Sequence, residues 1–368
     1  MTDLLYTQVE EELRAAVRDV LADRCPPAAV LGRIETASPY DLDLWRTLAR
    51  DVGVAGLLVP ESLGGAGASA REAAVVLEEL GRAVAPVPFL GSAVLATSAL
   101  LAAADASAEA ASWVRRLAAG EVTAALAVPF SASPYRETGD TVTAGGDGAL
   151  SGRVAAVAGA SVADVLVVPA AGALYVVEAA HAGVEAAPSL DLTRQLATVT
   201  LWEAPAVRVA ADLAGVRLAL TAGAGLLAAE QLGVSDWCLD TTIAYVKERH
   251  QFARPVGSFQ AIKHRLADLW FDVARARAAA RAAADALATA KDVTEDAALP
   301  VAVAASWCSD VALHAAEEAL QLHAGIGMTW EHPLHLYLKR AKSVQIALGT
   351  PGDHRAALAE LADLPSPA

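Results

Sequence analysis

The feature that most limits how this chain can fold is that its hydrophobic period changes twice. From Glu10 to about Ala118 apolar residues recur at three and four positions, the spacing of one buried helix face, punctuated by Pro26-Pro27, Pro60, Gly64-Gly65 and Pro86-Val87-Pro88. Between about Glu121 and Ala210 the pattern becomes short β-branched runs, Thr141 to Thr143, Val165 to Val168, Leu174 to Val177 and Ala197 to Leu201, separated by Gly, Pro and Asp. From about Leu213 the helical period returns in long stretches: Gly215 to Tyr245, Phe259 to Ala288, Ala297 to His323, His335 to Ala347 and His354 to Leu361. The order predicts an α+β, mostly α chain: an N-terminal helical domain over 1–120, a central small β domain over 121–210 and a C-terminal helical bundle over 211–368. Pro365 to Ala368 reads as a loose tail.

Composition narrows the classes of function. With 55% hydrophobic residues the chain has ample apolar surface to bury. A net charge of -15 opposes general attraction to nucleic acid or to an anionic membrane, so an anionic ligand must be met by a few local basic groups. The longest uncharged apolar runs, such as Gly91 to Ala104 and Leu218 to Ala229, fall short of the about 20 residues of a spanning helix, so no membrane insertion is expected. The acidic, amphipathic start lacks a basic region leading into an apolar stretch; no signal peptide and a cytoplasmic location are expected. Cys25, Cys238 and Cys308 are odd in number and far apart, which suits reduced core cysteines.

Three segments resemble the acyl-CoA dehydrogenase family. Gly56 to Pro88, GLLVPESLGGAGASAREAAVVLEELGRAVAPVP, is similar to its N-terminal Pro-Glu, Gly-Gly-x-Gly turn and helix with paired glutamates. Glu248 to Asp268, ERHQFARPVGSFQAIKHRLAD, resembles its R-x-Q-F-G-x-P-x-x-x-F-Q segment almost position by position. Gln321 to Thr350, QLHAGIGMTWEHPLHLYLKRAKSVQIALGT, is similar to its Q-x-x-G-G-x-G segment and the loop that follows. The resemblance implies the acyl-CoA dehydrogenase fold, a flavin that lies between two subunits, and 2,3-desaturation of an acyl-CoA thioester with an electron acceptor such as an electron-transfer flavoprotein.

In the family, each chain lends part of its surface to its partner's FAD. The corresponding positions here are Arg249, Gln251, Phe252, Phe259, Gln260, Gln321 and Gly325, and Thr350 is a further cofactor contact of the family's pattern. A guanidinium offers a planar fork to pyrophosphate, amides pair with adenine and ribose edges, and glycine lets backbone approach phosphate. Ala253 and Ala324 replace the family's usual Gly, adding a methyl but removing no polar group. The half that a chain provides for its own flavin is eroded: the W-I-T-N strand positions fall on Ala156, Val157, Ala158 and Gly159, and of the E-P-x-x-G-S-D loop only Pro129 is placed.

Dehydrogenation needs a carboxylate to take the α-proton while hydride leaves for flavin N5. The family's Y-E-G-T glutamate position is Leu348 here, and the alternative position in a smaller branch of the family falls at about Gly223. The remaining candidates are Glu230, about two turns or roughly 10 Å along the same helix, and Asp353 or His354 after the loop. A chain that keeps what it lends and drops what it uses reads as the non-catalytic partner in a heterotetramer, completing the FAD site of a second acyl-CoA dehydrogenase subunit that carries the base. The resemblance suggests a bulky, sterol-derived acyl group. Two alternatives stand beside it: a self-sufficient homotetramer with a displaced base, and a flavin-free scaffold of this fold.

Other signals are weaker. Gly223 to Ala228 matches G-x-G-x-x-A with Asp240 downstream, but a dinucleotide fingerprint needs a flanking βαβ unit, and close helix packing accounts for small residues there. His323, His332 and His335 lack carboxylate or Cys partners at helical spacing; they read as surface or interface histidines and no metal is expected. Trp237, Trp270, Trp307 and Trp330 read as core or subunit contacts. No G-x-S-x-G is present.

Overall fold

In the computed structural model, which describes residues 4–137, 139, 141–146 and 148–364, the chain runs helices, strands, helices. The first helical unit contains α1 (Gln8–Arg24), α2 (Pro27–Ile34), α3 (Leu42–Arg46), α4 (Ala70–Arg82), α5 (Thr97–Leu101) and α6 (Ala108–Ala118). Capping boxes begin two of them: Thr7 with Glu10 on α1, and Ser69 with Glu72 on α4. A π-helical segment over Phe89–Ala96 leads directly into α5, and every residue in it is buried. The tail read at Pro365 to Ala368 lies outside the described residues.

The strands are β1 (Ala124–Leu126), β2 (Val142–Ala144), β3 (Leu150–Ala158), β4 (Val165–Ala170), β5 (Ala173–Glu178), β6 (Ala182–Ala187), β7 (Leu196–Ala204) and β8 (Val207–Ala210). They form two four-stranded sheets, ordered β1-β4-β5-β8 and β2-β3-β7-β6, antiparallel except for β1 beside β4. In β4 successive residues point to opposite faces: Leu166 and Val168 enter the core between the sheets, and Val165 and Val167 enter the core shared with the helices. A strand buried on both faces reads as a continuous apolar run, which is why Val165 to Val168 is uninterrupted.

Helix α7 (Ala214–Glu248) is the spine of the second helical unit, roughly 50 Å long at 1.5 Å per residue. A hairpin of β9 (His250–Gln251) and β10 (Arg254–Pro255) follows, then α8 (Gln260–Thr289), α9 (Ala298–His323), α10 (Leu334–Gln345) and α11 (Pro351–Leu361). Both α7 and the stretch Ala298–Met328 are long and apolar enough to cross a membrane, longer than the sequence runs suggested. In α7, 94% of the most apolar window is buried inside the protein, so its hydrophobicity serves the core. Glycines let α4 and α7 cross at backbone contact: a Cβ on Gly233 would stand 1.9 Å from the Glu78 carbonyl oxygen, and one on Gly81 2.1 Å from that of Glu230. The Gly223 to Ala228 stretch lies inside this continuous helix and not at a strand-to-helix turn, so it is a packing surface and not a dinucleotide loop.

Candidate active site

The two positions where sequence places the family's base meet in space. Leu348 is fully buried, and a Cβ on Gly223 would lie 3.0 Å from its Cδ1 and 2.4 Å from Cδ2 of Leu95 in the π-helical segment. A side chain at Gly223 would therefore displace the ends of Leu95 and Leu348, which fill the space between the N-terminal helices, α7 and the loop before α11. An unpaired carboxylate here would lose its hydration with nothing in exchange.

Three loops are tied together at this point by backbone hydrogen bonds. The Leu348 N–H donates to the Phe130 carbonyl at 2.8 Å, and the Phe130 N–H donates to the Ala156 carbonyl at 2.8 Å. Ala156 sits at φ +56° in an irregularity of β3 between Val154 and Val157, which turns its carbonyl out of the ladder. Phe130 is buried, and the Arg194 guanidinium lies 5.4 Å from its ring centre. The π-helical segment closes the other side, since a Cβ on Gly91 would stand 3.3 Å from the Ala158 carbonyl oxygen. The positions that the resemblance assigns to a chain's own flavin are thus packed against each other and carry no hydroxyl or indole.

The remaining candidate bases are engaged elsewhere. Glu230 is 1% exposed, and both of its oxygens are ion-paired, one to Arg194 at 2.5 Å and one to Arg340 at 3.0 Å. Arg340 also donates to Asp191 at 2.5 Å and to the Thr193 hydroxyl at 2.6 Å, so the cluster fastens the β domain to α7 and α10. Burial alone would raise the Glu230 pKa, but the two guanidiniums hold it below the ordinary carboxylate value. Its carboxylate is a counterion in this structure and not an accessible base. Asp353 closes a capping box with Thr350 at the start of α11: one oxygen accepts from the Thr350 N–H at 3.0 Å and from its hydroxyl at 2.8 Å. The other accepts from Arg136 at 2.5 Å, and these hydrogen bonds lower its pKa. His354 is buried with Nδ1 2.9 Å from the Tyr135 hydroxyl, and burial pushes its pKa down to about 4. An imidazole so depressed is neutral, yet its ring nitrogens face Tyr135 and the backbone at Leu348 and Gly349. Beside them an open cleft of about 510 Å³ is lined by Tyr135, Arg136, Arg217, Thr294, Asp353 and Glu360.

The residues assigned to a partner's cofactor lie on the outside. Arg249, Gln251, Gln260, Gln321 and Gly325 are exposed, and Phe252 is 87% exposed at the hairpin tip. Phe259 is half-buried beneath the hairpin, 3.8 Å from the Arg254 guanidinium and edge-on to Phe252. Thr350 stands apart, its hydroxyl occupied by the α11 cap next to the Leu348 loop. The two alanine replacements remove no polar group, but they carry a backbone cost that the sequence does not show. The hairpin turn places Phe252 at φ +52° and Ala253 at φ +62°, and Ala324 leaves α9 at φ +53°, ψ -138°. These are conformations that glycine adopts freely and a Cβ penalises.

The histidines are not all superficial either. His323 is 1% exposed, its ring stacked on Tyr245 with centres 4.4 Å apart, and His332 lies 4.9 Å from it. Sequence missed this burial because the ring that covers it, Tyr245, lies on α7, far from it in the chain. No group of three potential metal ligands occurs among the described residues. Trp237 stacks on Tyr337 at 3.5 Å, whereas Trp270 is 61% exposed on α8 and Trp330 donates to Glu35 at 2.7 Å.

Comparison with known proteins places these observations. The profile for the acyl-CoA dehydrogenase N-terminal domain matches residues 7–121, and that for the C-terminal domain matches 215–362. Acyl-CoA dehydrogenase IpdE2 of Mycobacterium tuberculosis is 37% identical over 345 residues, covering 92% of each chain. The chain belongs to the acyl-CoA dehydrogenase family. Among solved structures, the ChsE4–ChsE5 complex of Mycobacterium tuberculosis superposes with TM-score 0.86 at 30% identity, covering 99% of this chain and 100% of that one. The Tcur3481–Tcur3483 steroid ACAD superposes with TM-score 0.84 at 30% identity, covering 97% and 98%. Acyl-CoA dehydrogenases are FAD-binding oxidoreductases acting on the CH–CH bond of an acyl-CoA. The exposed Arg249 and Gln251 beside the hairpin, Gln260 at the start of α8, and Gln321 and Gly325 at the end of α9 have the chemistry to meet that cofactor, whereas the packed Leu348–Phe130–Ala156 junction presents only apolar side chains.

Proposed function

We propose that this chain is the cofactor-lending, non-catalytic subunit of a heteromeric acyl-CoA dehydrogenase. The observation that carries the reading is the backbone junction of Leu348, Phe130 and Ala156 packed beside Leu95, in a chain whose hairpin segment keeps its polar side chains exposed. The partner supplies the base and the bed for the isoalloxazine, and this chain supplies Arg249, Gln251, Phe252, Phe259, Gln260, Gln321 and Gly325 to the same FAD. Two relatives of high coverage are described as two-component assemblies, and one of them is described as a steroid ACAD, which supports a bulky, steroid-derived acyl thioester held mainly by the partner. Electrons then pass from the flavin to an acceptor such as an electron-transfer flavoprotein.

The test is the FAD content of the chain expressed alone and co-expressed with the dehydrogenase subunit it binds, read by flavin absorbance and subunit-resolved mass spectrometry. The expected result is colourless protein alone and one FAD per heterodimer together. Yellow protein from the chain alone, bleached by an acyl-CoA, would overturn the reading in favour of a self-sufficient enzyme. A colourless complex would make it a scaffold.

A further inference from the structure

The two lending segments come from distant parts of the chain, yet both are rooted on one pair of stacked rings. Tyr245 lies in the last turn of α7, and its carbonyl accepts the Arg249 N–H at 2.9 Å, the bond that ends the helix and launches the hairpin. The Val256 N–H then closes the hairpin base on the Arg249 carbonyl at 2.7 Å. His323 is the last residue of α9, followed directly by the strained Ala324 that turns the chain outward to Gly325. The two rings are stacked with centres 4.4 Å apart and planes 20° from parallel.

The state of the imidazole is fixed by its surroundings. Nδ1 is 2.8 Å from the Ala319 carbonyl, an acceptor only, so Nδ1 carries the proton. His332 lies 4.9 Å away with its Nδ1 accepting from the Leu334 N–H at 3.3 Å, and His335 stands beyond it with Nε2 on the Trp330 carbonyl at 3.1 Å. Burial holds both His323 and His332 below the ordinary imidazole value. The ring is therefore a neutral, buried plate between two exposed segments.

We infer that His323 is a positioning residue for the shared cofactor: its stack on Tyr245 fixes the Arg249–Gln260 hairpin relative to the Gln321–Gly325 turn. Its ring is buried, 1% exposed, and so acts through the segments it joins. The inference rests on the lending reading above, and it adds a specific dependence: the registration of the two segments, and with it FAD affinity in the assembled enzyme, depends on a flat ring at 323. A residue that merely filled space would serve equally well as any apolar side chain of similar volume.

The experiment compares His323→Ala, His323→Leu and His323→Phe by hydrogen exchange of the full chain and by FAD titration of its complex with the partner subunit, with Arg249→Ala as reference. Leu keeps the volume without the plate, and Phe keeps the plate. An aromatic pair of this kind corresponds to roughly a three- to tenfold change in an equilibrium. The expected result is that Ala and Leu speed exchange across 249–256 and raise the FAD dissociation constant by about that factor, while Phe changes neither. Equal losses in all three variants, or a fall in melting temperature with unaltered exchange at 249–256, would overturn the inference. If Arg249→Ala leaves FAD binding unchanged, the lending reading fails, and the exchange data alone still decide whether the ring pair couples the segments. If Arg249→Ala weakens FAD and the Leu variant does not, the lending reading stands and His323 is only core.

Discussion

Replacing Leu348 by Ala separates a filled junction from an open substrate pocket. Leu348 is fully buried, packs against Leu95 and the Gly223 backbone, and its N–H is held by Phe130. Truncating a buried Leu removes its transfer free energy and leaves a cavity, about 3–5 kcal/mol where neighbours cannot collapse. The backbone at Leu348 sits at φ +53°, and Ala carries the same Cβ, so the substitution recovers none of that strain. Leu348→Gly would recover about 1–2 kcal/mol of it, offset by the extra freedom of glycine in the unfolded chain, about 0.5–1 kcal/mol. The two variants should therefore unfold within about 1.5 kcal/mol of each other, both well below the parent. Urea denaturation followed by far-UV circular dichroism and by tryptophan fluorescence reads the loss, with coincident transitions checking that one midpoint describes the chain. A loss below about 1 kcal/mol for Leu348→Ala would mean that the side chain borders solvent or a ligand-sized space, and the argument for a packed, non-catalytic junction would fail.

Ala253→Gly and Ala324→Gly each relieve a positive φ and should each raise stability by about 0.5–1.5 kcal/mol, seen as higher urea midpoints; a decrease at either site would show that the strain is absent. Glu230→Ala strands Arg194 and Arg340 as buried charges and should cost about 3–5 kcal/mol, whereas Asp310→Ala, which breaks an exposed pair with Arg355, should cost under about 1 kcal/mol. If Glu230→Gln instead abolished turnover of the complex at unchanged stability, Glu230 would be the base. His354 titrates near 6.5 when unfolded and about 4 when folded, so the folded state binds fewer protons and stability falls as pH drops from about 6.5 through 4. The full effect approaches about 3 kcal/mol, and His354→Gln should flatten that part of the stability–pH profile.

What could be read from the sequence is what is local in the chain. The switch from helical to strand periodicity falls between Ala118 and Ala124, and the switch back between Ala210 and Ala214, because the apolar spacing that builds each element lies within it. The donors proposed for the cofactor are local in the same way: Arg249 to Gln260 is one unbroken stretch, so they stand together in the sequence as they do at the hairpin. The candidate site was legible only as missing side chains, since it is assembled from Leu95, Phe130, Ala156, Gly223 and Leu348, and two of its contacts are backbone hydrogen bonds that no residue identity announces. Glu230 looked available because Arg194 and Arg340 stand 36 and 110 residues away from it. The Gly-to-Ala changes at 253 and 324 looked like added methyls because a motif records side chains, and the cost lies in φ.

Leu348 joins these two lessons. A buried Leu at positive φ spends about 1–2 kcal/mol and gives no chemistry in return. The conformation is imposed from both flanks: Phe130 holds the Leu348 N–H, and the Thr350–Asp353 capping box fixes where α11 begins. The loop geometry is therefore set by a backbone hydrogen bond and a helix cap, neither of which depends on the side chain at 348. What occupies this frame is an aliphatic side chain, buried beside Leu95 at the position where the family's pattern carries a carboxylate, and that occupancy is what the proposed non-catalytic role rests on.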